Sequence, residues 1–258
     1  MSRVLVLMYH QVDTPLSAKE HRFCIAPDRF AAQMRWLADT GYHAVNMGEV
    51  LAHVSGQATL PEKSFHVTFD DGFVGVLEHA LPALLAHAIP ATLFALPQRC
   101  GATNDWMHQR GFPRRALLSV AQLRLLADEG MTIGSHTCTH VQLPNVDSAV
   151  AESQIVDSRK ALEDLLGRPV VHFAYPYGLF NQEVRDMVVR AGYLSACSTR
   201  SGFNRPGEDP FLIRRIDIAG TDQPWQFRQK LHHGSNDATR LRPFVYYASR
   251  IAARLGRK

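Results

Sequence analysis

Phe65-His66-Val67-Thr68-Phe69-Asp70-Asp71-Gly72 is a short β-rich run that stops on two carboxylates and a glycine. Gly72 permits a sharp turn after the strand. Neighbouring side chains on a strand point to opposite faces. At a strand end the chain is already turning, so Asp70 and Asp71 can reach one site. Two close carboxylates repel unless a cation lies between them or one is protonated. Further along, Met131-Thr132-Ile133-Gly134 reads as a second short strand, followed by Ser135-His136-Thr137-Cys138-Thr139-His140. The i, i+4 spacing of His136 and His140 predicts a helical turn with both imidazoles on one face. Cys138 lies midway and points the other way. One Asp with two His can hold a divalent ion and leave a position for water. The other Asp is then free to take a proton from that water.

Outward from these two stretches, strands alternate with helices, which predicts an α/β architecture. Val4-Leu5-Val6-Leu7-Met8-Tyr9-His10 is a continuous apolar run suited to a buried parallel strand, with His10 at its end. A loop over 11–26 follows. Asp28 caps a helix over 28–40 in which Phe30, Met34 and Leu37 recur at helical spacing, and Gly41 ends it. A strand near 43–46 and a short helix near 47–54 come next. Further helices are expected at 75–87, 119–129, 149–166 and 181–191, and strands at 91–95, 131–134, 170–174, 194–198 and 211–218. The connection 97–118, with Pro97, Gly101, Gly111 and Pro113, follows a strand and carries Trp106 and His108. Long loops of this kind usually carry ligand contacts. Trp225 is expected in the core.

Three stretches in order, TFDDG at 68–72, Ser135-His136-Thr137 with His140, and Phe173-Ala174-Tyr175-Pro176-Tyr177-Gly178, resemble the polysaccharide deacetylases, the NodB-type carbohydrate esterases. The resemblance covers roughly residues 4–230. It implies a single-domain distorted (β/α) barrel of seven or eight strands, here over 1–233. It implies a divalent metal, usually zinc; Asp and two His also suit cobalt, nickel or iron. It implies hydrolysis of the N-acetyl group of an amino sugar in a cell-surface polysaccharide or its precursor, so the expected partner is carbohydrate. By motif match Asp70 resembles the general base, and Asp71, His136 and His140 the metal ligands. The backbone N–H of Tyr177 resembles the oxyanion donor. A Trp face can stack on a sugar ring, so Trp106 is a candidate substrate contact, with ordinary packing as the other reading.

Two departures stand out. Ala174 occupies the position where the family places an Arg that orients the catalytic Asp. Arg214 and Arg215 are the available substitutes. Neighbours on a strand face opposite ways, so one of them points inward, and Arg215 is preferred. The second departure concerns the acid. Leu231-His232-His233 fits the common Leu-x-His pattern, yet the N-terminal strand with its Tyr-His ending is similar to the subgroup that deacetylates poly-N-acetylglucosamine, in which the barrel is circularly permuted. That resemblance gives the acid role to His10, with His232 or His233 as alternatives. Two other functions stay open: deacylation or deformylation of a lipid-linked or non-sugar amide, and carbohydrate binding without turnover.

The chain has 258 residues, which suits one barrel. It has no apolar run long enough for a transmembrane helix and no signal-peptide pattern, so a cytoplasmic location is expected. Cys24, Cys100, Cys138 and Cys197 are scattered without a CxxC pair and read as buried thiols. The net charge of +4 is concentrated near the C-terminus. Arg240, Arg242, Arg250, Arg254, Arg257 and Lys258 occur with no acid among them, interleaved with Phe244, Val245, Tyr246, Tyr247, Ile251 and Leu255. The segment 234–258 therefore reads as a basic amphipathic tail or helix. It either packs on the barrel or, through 241–258, touches an anionic membrane. No motif for nucleic-acid binding accompanies the charge, and no such partner is expected.

Overall fold

The structure is a computed structural model and describes residues 2–108 and 110–239. Its strands, in chain order, are β1 (Val4–Tyr9), β2 (Gln11–Val12), β3 (Cys24–Ile25), β4 (His43–Ala44), β5 (Ser64–Phe69), β6 (Ala91–Ala95), β7 (Thr132–Ser135), β8 (His172–Ala174), β9 (Ser195–Cys197) and β10 (Ile216–Asp217). The helices are α1 (Pro27–Asp39), α2 (Met47–Val54), α3 (Leu81–Leu85), α4 (Asp105–His108), α5 (Val120–Asp128), α6 (Ser148–Leu166), α7 (Gln182–Arg190) and α8 (Pro224–His233).

The main sheet runs β10-β1-β5-β6-β7-β8-β9, parallel throughout, with β4 beside the start of β5. Every residue of β1 and β5 is buried, as expected for parallel strands covered on both faces. The fold is α/β, as the strand–helix alternation predicts, and is the distorted (β/α) barrel that the resemblance implies. Closure comes from the segment 213–217. Ile213 pairs with Cys197 of β9, while Ile216 and Asp217 pair with Leu7 and Met8 of β1.

That crossing corrects the expected strand at 211–218. Pro210–Leu212 forms a 3₁₀ turn, and only Ile216–Asp217 is strand. The chain must pass from one sheet edge to the other there, and the residue between, Arg215, is fully buried. The loop 11–26 is also more ordered than expected. It holds the parallel pair β2–β3 and a 3₁₀ turn at Ala18–Arg22.

Within the barrel, Val4, Val6, Phe94, Ala174, Cys197 and Ile213 share an apolar cluster with Met47, Val50 and Val54 of α2. Gly134 faces this packing: a Cβ there would lie 2.5 Å from the Phe94 ring and 2.9 Å from the His172 carbonyl oxygen. Only a residue without a side chain leaves room for that ring. The outer helices bury a larger cluster against the other face of the strands.

Helix ends follow the sequence with two exceptions. Asn46 and Glu49 form a capping box on α2, and Ser119 with Gln122 forms one on α5. Asp28 does not cap α1. The helix starts at Pro27, which has no N–H to satisfy at that position, and Asp28 accepts from the Arg29 N–H inside the first turn. The helix expected at 75–87 divides into a π turn at Val76–Ala80 and the short α3. Pro82 cannot donate the next i→i−4 hydrogen bond, so the turn widens before it.

Trp225, expected in the core, is 43% exposed, because α8 buries Phe227, Lys230, Leu231 and His233 instead. The four cysteines are free thiols, three buried and Cys100 half-buried. Among the described residues no helix is long and apolar enough to cross a membrane. Residues 240–258, and with them the expected basic amphipathic helix, lie outside the described residues.

Candidate active site

The end of β7 and the end of β5 are brought together by the strand register of the barrel. His136 follows β7 directly, and its backbone N–H donates to the carbonyl of Ala95 at the end of β6. Its ring Nδ1 lies 2.8 Å from the Ala174 carbonyl oxygen. A carbonyl can only accept, so Nδ1 carries the proton and Nε2 presents a lone pair. Burial holds the ring neutral by pushing its pKa down to about 4, against the opposing pull of Asp70.

His140 reaches the same point by a different route from the one its spacing predicted. The segment is not helical: Thr137 has φ 70° and His140 φ 68°. The N–H groups of Cys138 and Thr139 donate to Gln154 Oε1 on α6, and the His140 N–H donates to Thr137 Oγ1. Side chains thus take the donors that a helical turn would have used. Cys138 is buried and is not among the three residues whose ligand atoms converge.

Asp71 completes the set. Its Oδ1 is 3.6 Å from His136 Nε2 and 3.2 Å from His140 Nε2. One ligand atom from each of the three residues lies within 4.8 Å of the others, and all three residues are buried. Asp71 Oδ1 has no hydrogen-bond partner among the described residues. Burial opposes ionisation of Asp71, but the imidazoles around it, His140 foremost, hold its carboxyl well below the usual range. An ionised oxygen and two imidazole nitrogens converge without satisfying one another, which is the arrangement a divalent cation fits.

Asp70 is held apart from this triad by Arg215. Nη1 donates to Asp70 Oδ1 at 2.6 Å and Nη2 to Oδ2 at 2.8 Å, a two-pronged pair. Arg215 also donates to the Ser198 carbonyl oxygen and to Thr68 Oγ1. Burial disfavours the Asp70 anion, yet the charge and hydrogen bonds of Arg215 together with the neighbouring imidazoles outweigh it, and the carboxyl pKa falls below the ordinary value. Arg214 turns outward, 43% exposed and 3.8 Å from Glu208. Position 174 carries alanine, and the guanidinium partner of Asp70 comes from Arg215, just ahead of β10.

The site opens into a cavity of about 380 Å³ lined by Asp70, Asp71, His136, His140, Tyr177 and His10. His10 follows β1 and packs edge-on to Phe23 at 5.5 Å. His232 and His233 occupy the last turn of α8 and do not line this cavity; His232 borders a separate cleft with Arg3, Tyr42 and Lys63. Tyr177 has φ 58° and sets its ring edge against His140 at 4.5 Å. Six non-glycine residues among those described have left-handed φ, and four of them are Asp71, Thr137, His140 and Tyr177. Such backbone costs on the order of 1 kcal/mol per residue, so the strain is concentrated where the site is built.

Several wall residues carry no sequence signal of their own. Phe23, Arg110, Phe112 and Asn236 line the cavity from loops, and Asp217 from the end of β10. Asn236, within the segment 234–258 expected as a basic amphipathic tail or helix, accepts the Asp217 N–H with its side-chain oxygen and so belongs to the site wall. The loop 97–118 is tied to the loop 11–26 by Arg115, which donates to both Glu20 oxygens and to Asp13 Oδ2, each at 2.8 Å. Trp106 does not stand free: its ring stacks on His140 at 4.9 Å with planes 24° apart.

A family model described as polysaccharide deacetylase matches residues 57–196. The chain is 24% identical over 218 residues to the Bacillus subtilis (strain 168) protein YxkH, covering 84% of this chain and 72% of that protein. It is 24% identical over 214 residues to poly-beta-1,6-N-acetyl-D-glucosamine N-deacetylase of Staphylococcus aureus (strain MSSA476), covering 79% and 71%. The structure of IcaB from Ammonifex degensii superposes with TM-score 0.77 and 26% identity over 90% of this chain and 97% of that one.

Proposed function

Because the chain belongs to the polysaccharide deacetylase family, we propose that it is a metal-dependent hydrolase that removes the N-acetyl group from an amino sugar of a polysaccharide or its precursor. The observation that carries this reading is the buried convergence of Asp71, His136 and His140 beside an Asp70 held ionised by Arg215. A divalent cation on those three residues would supply Lewis-acid polarisation of the amide carbonyl and a more acidic water. The nitrogen and carboxylate donors suit zinc, and cobalt or nickel as well.

Each protein group then has a defined task. Asp70, kept in its basic form, accepts the proton of the attacking water. The Tyr177 N–H donates to the oxygen that becomes negative as the carbonyl carbon turns tetrahedral. His10 gives a proton to the departing amine, which is otherwise a poor leaving group. The aromatic walls exclude bulk water and strengthen these interactions. The poly-N-acetylglucosamine deacetylase among the relatives supports N-acetylglucosamine oligomers as the first substrate to test.

Acetate release from such oligomers is expected from the zinc-loaded protein and not after chelation, with Asp70→Asn as the inactive control. Release that survives chelation, or that Asp70→Asn retains, sinks the proposal. The acid assignment has its own test. His10→Ala is expected to lower kcat by about 10²–10⁴-fold while His232→Ala leaves it unchanged. The opposite ranking would move the acid to α8.

A further inference from the structure

The two candidate imidazole ligands are held in different ways. His136 is anchored through Nδ1 to the Ala174 carbonyl oxygen. A metal-binding His almost always has such a support on its second nitrogen, which fixes the ring and the tautomer. His140 Nδ1 is buried with no hydrogen-bond partner among the described residues. What meets the His140 ring instead is aromatic. The Trp106 face lies on it at 4.9 Å and 24°, and the Tyr177 edge meets it at 4.5 Å and 68°. The indole Nε1 of Trp106 is also buried without a partner, so packing alone sets the orientation of that ring.

The backbone around Trp106 is built to hold it there. Trp106 lies on α4, next to Asn104. The buried Asn104 side chain accepts the Arg115 N–H at 2.8 Å and donates to the Pro113 carbonyl oxygen at 3.2 Å. Arg115 in turn grips Glu20, which is 3% exposed. A buried, two-pronged pair thus fixes the loop that delivers the indole.

We propose that Trp106 is a positioning residue for the metal centre, its ring doing for His140 what the Ala174 carbonyl does for His136. The inference rests on reading Asp71, His136 and His140 as the metal site. Without the indole, the His140 ring loses the face that opposes its rotation about the terminal side-chain torsion, which has broad wells of its own. The indole face on His140 is closed to a sugar. A merely sugar-stacking Trp would change KM and leave metal affinity alone.

The test is zinc affinity, read by competition with a chromogenic chelator, for the wild-type chain and for Trp106→Phe, Trp106→Leu and Trp106→Ala. Trp106→Ala and Trp106→Leu are expected to bind zinc about 10–100-fold more weakly, the range seen when a supporting partner of a ligand is removed. Trp106→Phe, which keeps a ring face, is expected to stay close to wild type. Thermal melts of the metal-free variants check folding, and Trp106→Leu carries the comparison if Trp106→Ala does not fold. Unchanged zinc affinity in Trp106→Leu with a raised KM would overturn the inference while leaving the metal site intact. A wild-type chain that binds no zinc would overturn the metal site itself.

Discussion

Arg215→Met is expected to lower turnover by about 10²–10³-fold, on the scale of other losses of a preorganised charge partner, and to destabilise the fold by about 3–5 kcal/mol. Arg215 is fully buried and Asp70 nearly so, and their two hydrogen bonds are 2.6 and 2.8 Å. Methionine fills much of the volume and removes the charge. Asp70 is then a buried carboxyl without its counter-ion, and burial raises a carboxyl pKa. The variant should therefore lose activity on the acid side first, with the acid limb of kcat/KM moved to higher pH. Arg215→Lys should rescue little, because a single ammonium cannot reproduce the fork. The double variant Asp70→Asn/Arg215→Met should be less destabilised than the sum of the singles, since it leaves no orphaned charge. Urea unfolding of the wild type, Arg215→Met, Arg215→Lys, Asp70→Asn and the double variant, with pH–rate profiles of the wild type and the two Arg215 singles, decides it. An acid limb that does not move would show that Arg215 does not set the charge state of Asp70.

The sequence made the site's chemistry more legible than its geometry. Asp70, Asp71, His136 and His140 stand in local motifs, and strand ends gather in a parallel barrel, so their meeting could be read early. The means by which they meet could not. The HxxxH spacing suggests a helix, whereas Gln154 and Thr137 capture the donors and twist the segment into left-handed turns. Arg215 was reachable only through the family resemblance, which left a need at Ala174, with strand alternation allowing one of two arginines to face inward. The short bridge that places it there was not, since pairing between 213–217 and both sheet edges depends on closure of the whole barrel. The aromatic walls follow the same logic. Phe23, Phe112 and Asn236 sit on loops with no period and no motif, and only tertiary contacts give them a role. Trp106 was visible as an aromatic on a long loop after a barrel strand, but its partner turned out to be the His140 imidazole.

The metal-free protein is expected to lose stability steeply as pH falls from about 6.5 to about 4, because of two histidines inside the fold. Both His66 and His172 have pKa values pushed down to about 4 from 6.5 by burial. His66 is satisfied as a neutral ring: Nδ1 donates to the Val45 carbonyl oxygen at 2.7 Å and Nε2 meets Thr92 Oγ1 at 2.9 Å. His172 Nδ1 lies 2.8 Å from Ser195 Oγ. Between the folded and unfolded pKa values, the unfolded chain binds protons that the folded chain refuses. Stability therefore rises with pH through that window, and is lost as pH falls through it. Two such groups give a slope of up to about 3 kcal/mol per pH unit near the middle of the window. His136, also pushed down to about 4, adds to the slope only while no cation occupies it. Asp70 works at lower pH: its depressed carboxyl contributes stability above the ordinary carboxylate range and loses it as pH drops through the folded value. The urea midpoint at pH 5 should then lie below that at pH 7 by roughly 1.5 M, for an m-value of about 2–3 kcal/mol/M. His172→Asn should flatten the dependence, since it removes one titrating group. Equal midpoints at the two pH values would mean that His66 and His172 take up protons without unfolding.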